Sequence, residues 1–289
     1  MHALAALLLA VPALSASLRC RATVQCPLVF DGRVPSSAEP TDFDTPNGGG
    51  WNPFNPDYVK GQGLLWSDIV VLPETDRPSR FDREADTRPL EVTISDASIF
   101  MNQRGFRRAG LQFRGDSNNG SPASTGVKTL HFSVKQDPER PLNLTHEYLN
   151  VWHETAAYDA NQFNFQAGTI IGQEGLPEDT FKLLDRNNQQ VWYTPMATDG
   201  SWQNFALTLD FDQNTIQVWY SAGDAPLEKQ GNAIWANLAG NGQYQIGMLK
   251  KPTGTSDVVN SGYQSSNLNE GQIYGGIFIE DSADGCVST

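Results

Sequence analysis

Ala206-Leu-Thr-Leu-Asp-Phe-Asp-Gln-Asn-Thr-Ile-Gln-Val-Trp-Tyr220 reads as two alternating apolar and polar runs on either side of a polar Asp212-Gln213-Asn214 turn. A period of two on both flanks of a turn is the pattern of a β-hairpin. The same texture continues in both directions. The chain has 26 glycines and 17 prolines spread throughout and no long stretch of helical periodicity, so short strands punctuated by turns are expected. Strands are predicted at Leu90–Ile94, Gly105–Arg114, Lys128–Lys135, His146–Glu154, Gln162–Thr169, Val191–Thr194, Trp202–Asp210, Thr215–Tyr220, Gln243–Leu249 and Gln272–Glu280. About ten strands without crossover helices imply an all-β, antiparallel two-sheet β-sandwich of jelly-roll type, one sheet curving into a concave groove. No repeat or low-complexity linker divides the chain.

Residues 1–16 hold an apolar run followed by Ser15 and Ala16, the pattern of a secretory signal peptide. Residues 17–25 then form an N-terminal leader, and 26–289 a single domain. Removal of the signal leaves about 270 residues, a size suited to one large all-β domain. Secretion to an extracellular, oxidising setting fits a disulfide among Cys20, Cys26 and Cys286, with Cys26–Cys286 favoured and Cys20 either free or competing for Cys286. The sequon Asn143-Leu-Thr145 is a glycosylation candidate. A net charge of −13 argues against nucleic acid or an anionic membrane as partner. A neutral polymer is compatible with it.

Two strands carry the most chemistry. In Phe106-Arg-Arg-Ala-Gly-Leu-Gln-Phe-Arg114, strand parity puts Arg108, Gly110, Gln112 and Arg114 on one face. In His146-Glu-Tyr-Leu-Asn-Val-Trp-His-Glu154, parity groups His146, Tyr148, Asn150, Trp152 and Glu154 as a groove lining, opposite Glu147, Leu149, Val151 and His153. Glu147 is then either a solvated strand-end carboxylate in a salt bridge or a partly buried general acid with a raised pKa. Gln162, Asn164 and Gln166 share a face that suits sugar hydroxyls, and Trp202 suits stacking on a pyranose ring, although single tryptophans often belong to the core. The zinc-protease spacing, the Gly-x-Ser-x-Gly elbow, the phosphate-binding glycine loop and Cys-x-x-Cys are all absent, so neither a metal nor a cofactor is expected.

The blocks Phe30-Asp-Gly-Arg-Val-Pro35, Gly48-Gly-Gly-Trp-Asn-Pro-Phe-Asn-Pro-Asp-Tyr58, Glu91-Val-Thr-Ile-Ser95, Gly126-Val-Lys-Thr-Leu-His-Phe-Ser133, His146-Glu-Tyr148 and Tyr274-Gly-Gly-Ile-Phe278 resemble those of fungal family 131 glycoside hydrolases. The resemblance spans nearly the whole mature chain. It implies a secreted jelly-roll enzyme, expected here as a monomer, acting on β-1,3-, β-1,4- and β-1,6-linked β-glucan, and it favours the Cys26–Cys286 pairing. It also implies catalytic roles for Arg108 and Glu147. A family Arg-x-Glu block is matched by Arg108 and Gly110, so glycine stands where a catalytic glutamate is implied. Gln203, in Trp202-Gln-Asn-Phe205, stands where the family tends to have histidine. Glycoside hydrolysis uses two carboxyl groups across the scissile bond, and glycine supplies none. Asp116, Glu154 or a loop carboxylate are the possible substitutes. The expectation is β-glucan hydrolysis, impaired at position 110, with a non-catalytic β-glucan-binding protein on the same fold as the alternative.

Overall fold

The computed structural model describes residues 23–73, 77–82 and 86–289. The residues expected to form a signal peptide, most of those expected to form a leader, and Cys20 lie outside the described residues. In chain order the strands are β1 (Leu28–Asp31), β2 (Val34–Pro35), β3 (Val70–Val71), β4 (Thr87–Arg88), β5 (Leu90–Ser95), β6 (Arg107–Gln112), β7 (Val127–Gln136), β8 (Glu147–Glu154), β9 (Asn161–Gly168), β10 (Thr180–Asp185), β11 (Gln190–Pro195), β12 (Gln203–Asp210), β13 (Thr215–Ala222), β14 (Glu228–Lys229), β15 (Ile234–Trp235), β16 (Gln243–Lys250) and β17 (Asn269–Asp281). Described helical turns are short 3₁₀ segments. None of the described helices is long and apolar enough to cross a membrane.

The strands form two large antiparallel sheets. One runs β14-β13-β12-β7-β17-β5-β3, with β1 added beside β17 and β15 beside β13; the other runs β11-β10-β9-β8-β16-β6. The hairpin that opened the sequence reading is β12–β13, paired without interruption from Gln203↔Ala222 to Asp210↔Thr215. Its turn follows local chemistry. The Asp210 carboxylate accepts the Asp212 and Gln213 N–H groups at 3.0 and 2.8 Å, and Asn214 takes the left-handed conformation at φ 57°, which asparagine tolerates.

Alternation along each strand sends one face inward. Phe132 from β7 and Phe205 from β12 meet Phe165 from β9 and Phe181 from β10, with centroids 5.0 Å apart for Phe132–Phe165, 4.7 Å for Phe165–Phe205 and 5.0 Å for Phe165–Phe181. This aromatic contact joins the two sheets. Truncating one such ring to alanine costs about 3–5 kcal/mol.

The predicted strands are all present, within a few residues at each end. The chief addition is β10, Thr180-Phe-Lys-Leu-Leu-Asp185, a central strand of the six-stranded sheet. Its outward positions include the buried Lys182 and Leu184, so its sequence lacks the polar alternation that marks a half-solvated strand.

The outer face of the nine-stranded sheet is covered by the ends of the chain. Phe81, Ala206, Leu227 and Phe278 form an apolar cluster there. His131 stacks on Phe278 at 4.2 Å and bonds Glu280 at 2.9 Å, while the Ser288 hydroxyl donates to Glu280 at 2.7 Å. Cys26 and Cys286 are joined as a disulfide. Gly275 is required in β17 because a Cβ there would lie 2.5 Å from Asp82 Oδ2, the oxygen that receives the Gly276 N–H at 3.1 Å.

At the start of β16, the Tyr244 N–H donates to Asp116 at 2.9 Å. Burial pushes the Asp116 pKa up to about 6, against the opposing pull of the Tyr244 N–H and the Ser121 hydroxyl. Asp116 thus anchors a strand end rather than facing the open sheet.

Two outcomes are expected. Because Cys26 and Cys286 are separated by 260 positions, replacing Cys286 with serine should lower unfolding free energy in denaturant titration by roughly 4–5 kcal/mol in the chain-entropy picture. Non-reducing peptide mapping should recover Cys26 linked to Cys286, and a Cys20–Cys286 peptide would refute the pairing. For Asp116, a folded-state pKa of about 6 lies above the usual value near 4. Its contribution is therefore full below about pH 4 and lost as pH rises through 6. Asp116→Asn should match wild type in Tm at pH 4 and exceed it at pH 7; a pH-independent difference would contradict burial as the cause.

Candidate active site

With one sheet covered, the other outer face is that of the six-stranded sheet, where most side chains of β6, β8, β9, β10 and β16 are themselves buried and β11 carries the exposed Tyr193. Strand register lays its side chains out in transverse rows. One row runs Arg108, Leu249, Leu149, Gln166, Lys182, Tyr193 from β6 to β11, and another runs Gln112, Gln245, Trp152, Asn164, Leu184, Gln190. Neighbours in a row are separated by a strand spacing of about 4.8 Å.

The face of β8 differs from the simple alternation. A register shift between Leu149 and Val151 against β9 makes Asn150 an extra, bulged residue of β8, whereas against β16 the extra residue lies on β16, where Gly247 and Met248 stand opposite Asn150. A bulge reverses parity on one side of itself. Tyr148 and Val151 therefore join the inter-sheet core, whereas Leu149 and Trp152 form a separate cluster with Phe106 and Leu249 on the open side. Glu147 is carried onto the open face together with Leu149, Trp152 and Glu154. The expected groove lining of His146, Tyr148 and Asn150 is corrected accordingly. Tyr148 donates inward to Glu270 at 2.8 Å, beside a Lys250–Glu270 ion pair at 2.6 Å. His146 is buried with Nδ1 2.8 Å from the Lys251 carbonyl. Asn150 is fully buried with neither amide atom hydrogen-bonded.

Glu147 lies at the start of β8, only 3% exposed on its side chain. Lys251 pairs with it at 2.6 Å and the Ile171 N–H donates to its other oxygen at 2.9 Å. Of the reading as a solvated carboxylate in a salt bridge, the salt bridge is present and the solvation is not, because the side chain is buried. Nearby, Lys182 donates to the Gly168 and Thr180 carbonyls at 3.0 and 3.1 Å. Burial lowers its pKa to about 8, opposed by Asp179, Glu178 and Glu147. Neither Lys182 nor Lys251 was flagged from sequence, and Lys182 fell in the strand that was missed.

Towards β6, Arg108 lies with its guanidinium carbon 5.5 Å from the Phe100 ring and 5.8 Å from the Trp152 ring. It donates to Gln103 and Gln245, and Gln245 in turn donates to Glu154 at 3.0 Å. Gly110 sits beside this group. A Cβ there would lie 3.0 Å from Gln245 Oε1 and 3.1 Å from the Trp152 indole, so Trp152 leans against the bare position. Gln112 bonds Gln243 and accepts from Asn55 at 3.0 Å. Glu154 and Glu147 are seven positions apart on β8, on the order of 20 Å. Glycosidase carboxyl pairs stand about 5–10 Å apart, so Glu154 is no substitute for a carboxylate at position 110.

Asn164 and Gln166 stay on the open face, the first bonded to Asn161 and Asn188 and the second with a buried, unpartnered Oε1. Gln162 departs from them. Its Oε1 accepts from His153 Nδ1 and its Nε2 donates to the Ala239 and Asn241 carbonyls, because the register slips between His153 and Glu154. Gln203 and Trp202 belong to the other sheet. Gln203 donates to the Pro195 carbonyl at 2.9 Å and to Tyr220 at 3.0 Å, and Trp202 donates to the Arg77 carbonyl at 2.9 Å. Of the Asn47–Tyr58 loop, Trp51 and Phe54 pack with Phe43 in the core, and only Tyr58 is exposed among its aromatics. A cavity of about 390 Å³ lined by Asp57, Lys60, Gln62, Phe100 and Asn102, among others, lies at this end.

The arrangement is a sheet face with aromatic, amide and cationic groups, Glu147 at the start of β8 and a bare Gly110 on β6. The crystal structure of a GH131 β-glucanase catalytic domain from Podospora anserina matches this fold with a TM-score of 0.69 at 21% identity, over 91% of this chain and 98% of that one. The catalytic domain of the glycoside hydrolase family 131 protein from Coprinopsis cinerea matches with a TM-score of 0.68 at 22% identity, over 91% and 97%. No curated protein matches the sequence. The family model described as the glycoside hydrolase 131 catalytic N-terminal domain matches residues 28–285, and the chain belongs to that family.

Proposed function

We propose that the protein is a secreted, monomeric β-glucan-active protein whose hydrolytic power is reduced because position 110 lacks a carboxylate. The observation that supports this reading is that strand register puts Arg108, Gly110 and Glu147 on one face, β6 and β8 lying on either side of β16, with no carboxylate at position 110. Hydrolysis requires one carboxyl to protonate the leaving glycosidic oxygen while another attacks the anomeric carbon or takes a proton from the attacking water. Glu147 can fill one of these roles. Loss of the other removes roughly 10²–10⁴-fold in rate, while binding, which rests on shape, amides and aromatic surface, is retained.

Secretion is supported by the leader pattern in the sequence and by the disulfide. The Asn143 sequon precedes β8, with the Thr145 hydroxyl donating to Asn143 Oδ1 at 2.8 Å, and is proposed as glycosylated. The alternative, a glucan-binding protein without catalysis, draws on the same observation. It differs in what Glu147 does.

Reducing-sugar release from β-1,3-, β-1,4- and mixed-linked glucans, measured beside calorimetric titration with oligosaccharides, separates the two. Wild type is expected to bind and to hydrolyse feebly, with Glu147→Gln abolishing the residual rate. Gly110→Glu is expected to raise turnover by about 10²-fold at a stability cost of about 1 kcal/mol or more, since Trp152 must give way. Strong wild-type hydrolysis that survives Glu147→Gln would refute the site. Binding with no hydrolysis in any variant would favour the binding protein, and absence of binding would refute both.

A further inference from the structure

Several buried or half-buried cations in this protein are matched by carboxylates. Lys250 has Glu270 at 2.6 Å, Lys251 has Glu147 at 2.6 Å, and Arg140 has Glu91 at 2.6 Å and Asp137 at 2.9 Å. Lys182 lacks one but is bonded to two backbone carbonyls. Arg108 is different. It is 6% exposed, its guanidinium meets only two amide oxygens, Gln103 at 3.1 Å and Gln245 at 3.3 Å, and its Nε has no partner. Among the described residues no carboxylate is ion-paired with it. Glu154 is held one side chain away, on the far end of the Gln245 amide.

An uncompensated charge in a buried setting is costly, and a planar guanidinium is built to take a carboxylate through two parallel hydrogen bonds. The surroundings fix the group for that purpose. Phe100 and Trp152 flank it, and the adjacent Gly110 carries no side chain that would compete. Burial brings the Arg108 pKa down to about 10, which still leaves it cationic at neutral pH.

We propose that Arg108 is a carboxylate-binding subsite on the open face, so that a β-linked glycan carrying a uronic acid is held in preference to its neutral glucose counterpart. The proposal rests on the reading of this face as a glycan-binding groove. The net charge of −13 favours a sparsely acidic glycan over a polyuronate, whose repeated charges would be repelled.

The experiment titrates the mature protein calorimetrically with a glucuronic-acid-containing β-oligosaccharide and with the neutral gluco-oligosaccharide of equal length and linkage. Acetate and free glucuronate are run as separate arms, with Tm followed in parallel. Wild type is expected to bind the acidic oligosaccharide about tenfold more tightly than the neutral one. Arg108→Gln should abolish that preference, read as the ratio of the two affinities in the folded variant whatever happens to either one alone, and Arg108→Lys should retain part of it. A neutral oligosaccharide that binds as well as the acidic one overturns the subsite and leaves the groove reading standing. Failure of both to bind overturns the two together. A preference that persists in folded Arg108→Gln, or a wild-type Tm raised by acetate with no preference between the oligosaccharides, also overturns the proposal, the latter marking an adventitious anion only.

Discussion

Two sheets remain face to face only while the space between them stays dry and filled, and here the filling is aromatic. Phe132 and Phe205 from one sheet lock against Phe165 and Phe181 from the other. Every inward position on the long strands is set by that contact, because a one-residue slip would turn each ring to solvent. The outward faces follow as a consequence. One receives the chain ends and becomes a closed wall; the other is left as the working surface.

On that surface a single extra residue decides which side chains meet. Asn150 is accommodated by a bulge in β8 matched by an irregularity in β16 around Gly247 and Met248. Beyond it, the strand presents Leu149 and Glu147 outward and buries Tyr148 against Glu270. The chemistry of the face therefore depends on a backbone irregularity more than on the alternation of the sequence. Gly110 and Trp152 are coupled through the same region: the indole lies against the glycine, so the space a carboxylate would need is partly taken by an aromatic ring.

Most of the fold was legible because the hydrophobic period of two is a direct record of inside and outside. The β12–β13 hairpin, with its Asp-Gln-Asn turn, carries that record without interruption. The strand β10 does not, since Lys182 and Leu184 are buried on the outward side. The site was legible in part. Arg108, Gly110, Gln112, Trp152, Asn164 and Gln166 fall on the expected face, as strand parity requires. His146, Tyr148 and Asn150 do not, because a bulge is fixed by the register of neighbouring strands, which local sequence does not encode. Gln162 was displaced for the same reason. Gln203 was grouped with the groove by resemblance and Trp202 as a stacking ring, and their position at the start of β12 in the opposite sheet is a property of topology alone. Lys251 became visible only when the end of β16 was laid beside the start of β8.

The order of strands has a consequence for how such a chain comes to be assembled. The thirteen-residue β17 is the final strand in sequence, yet it lies in the interior of its sheet, between β7 and β5, with β1 added beside it. Neither neighbour can be completed by residues that precede it. A chain emerging from its N-terminus can form the β12–β13 hairpin and much of the six-stranded sheet by local pairing, but the larger sheet waits for its last segment. Until then β5 and β7 expose unpaired edges, which are sites for wrong association. The protein thus depends on β17 as an internal keystone, and loss of that one strand removes the middle of a sheet rather than its border.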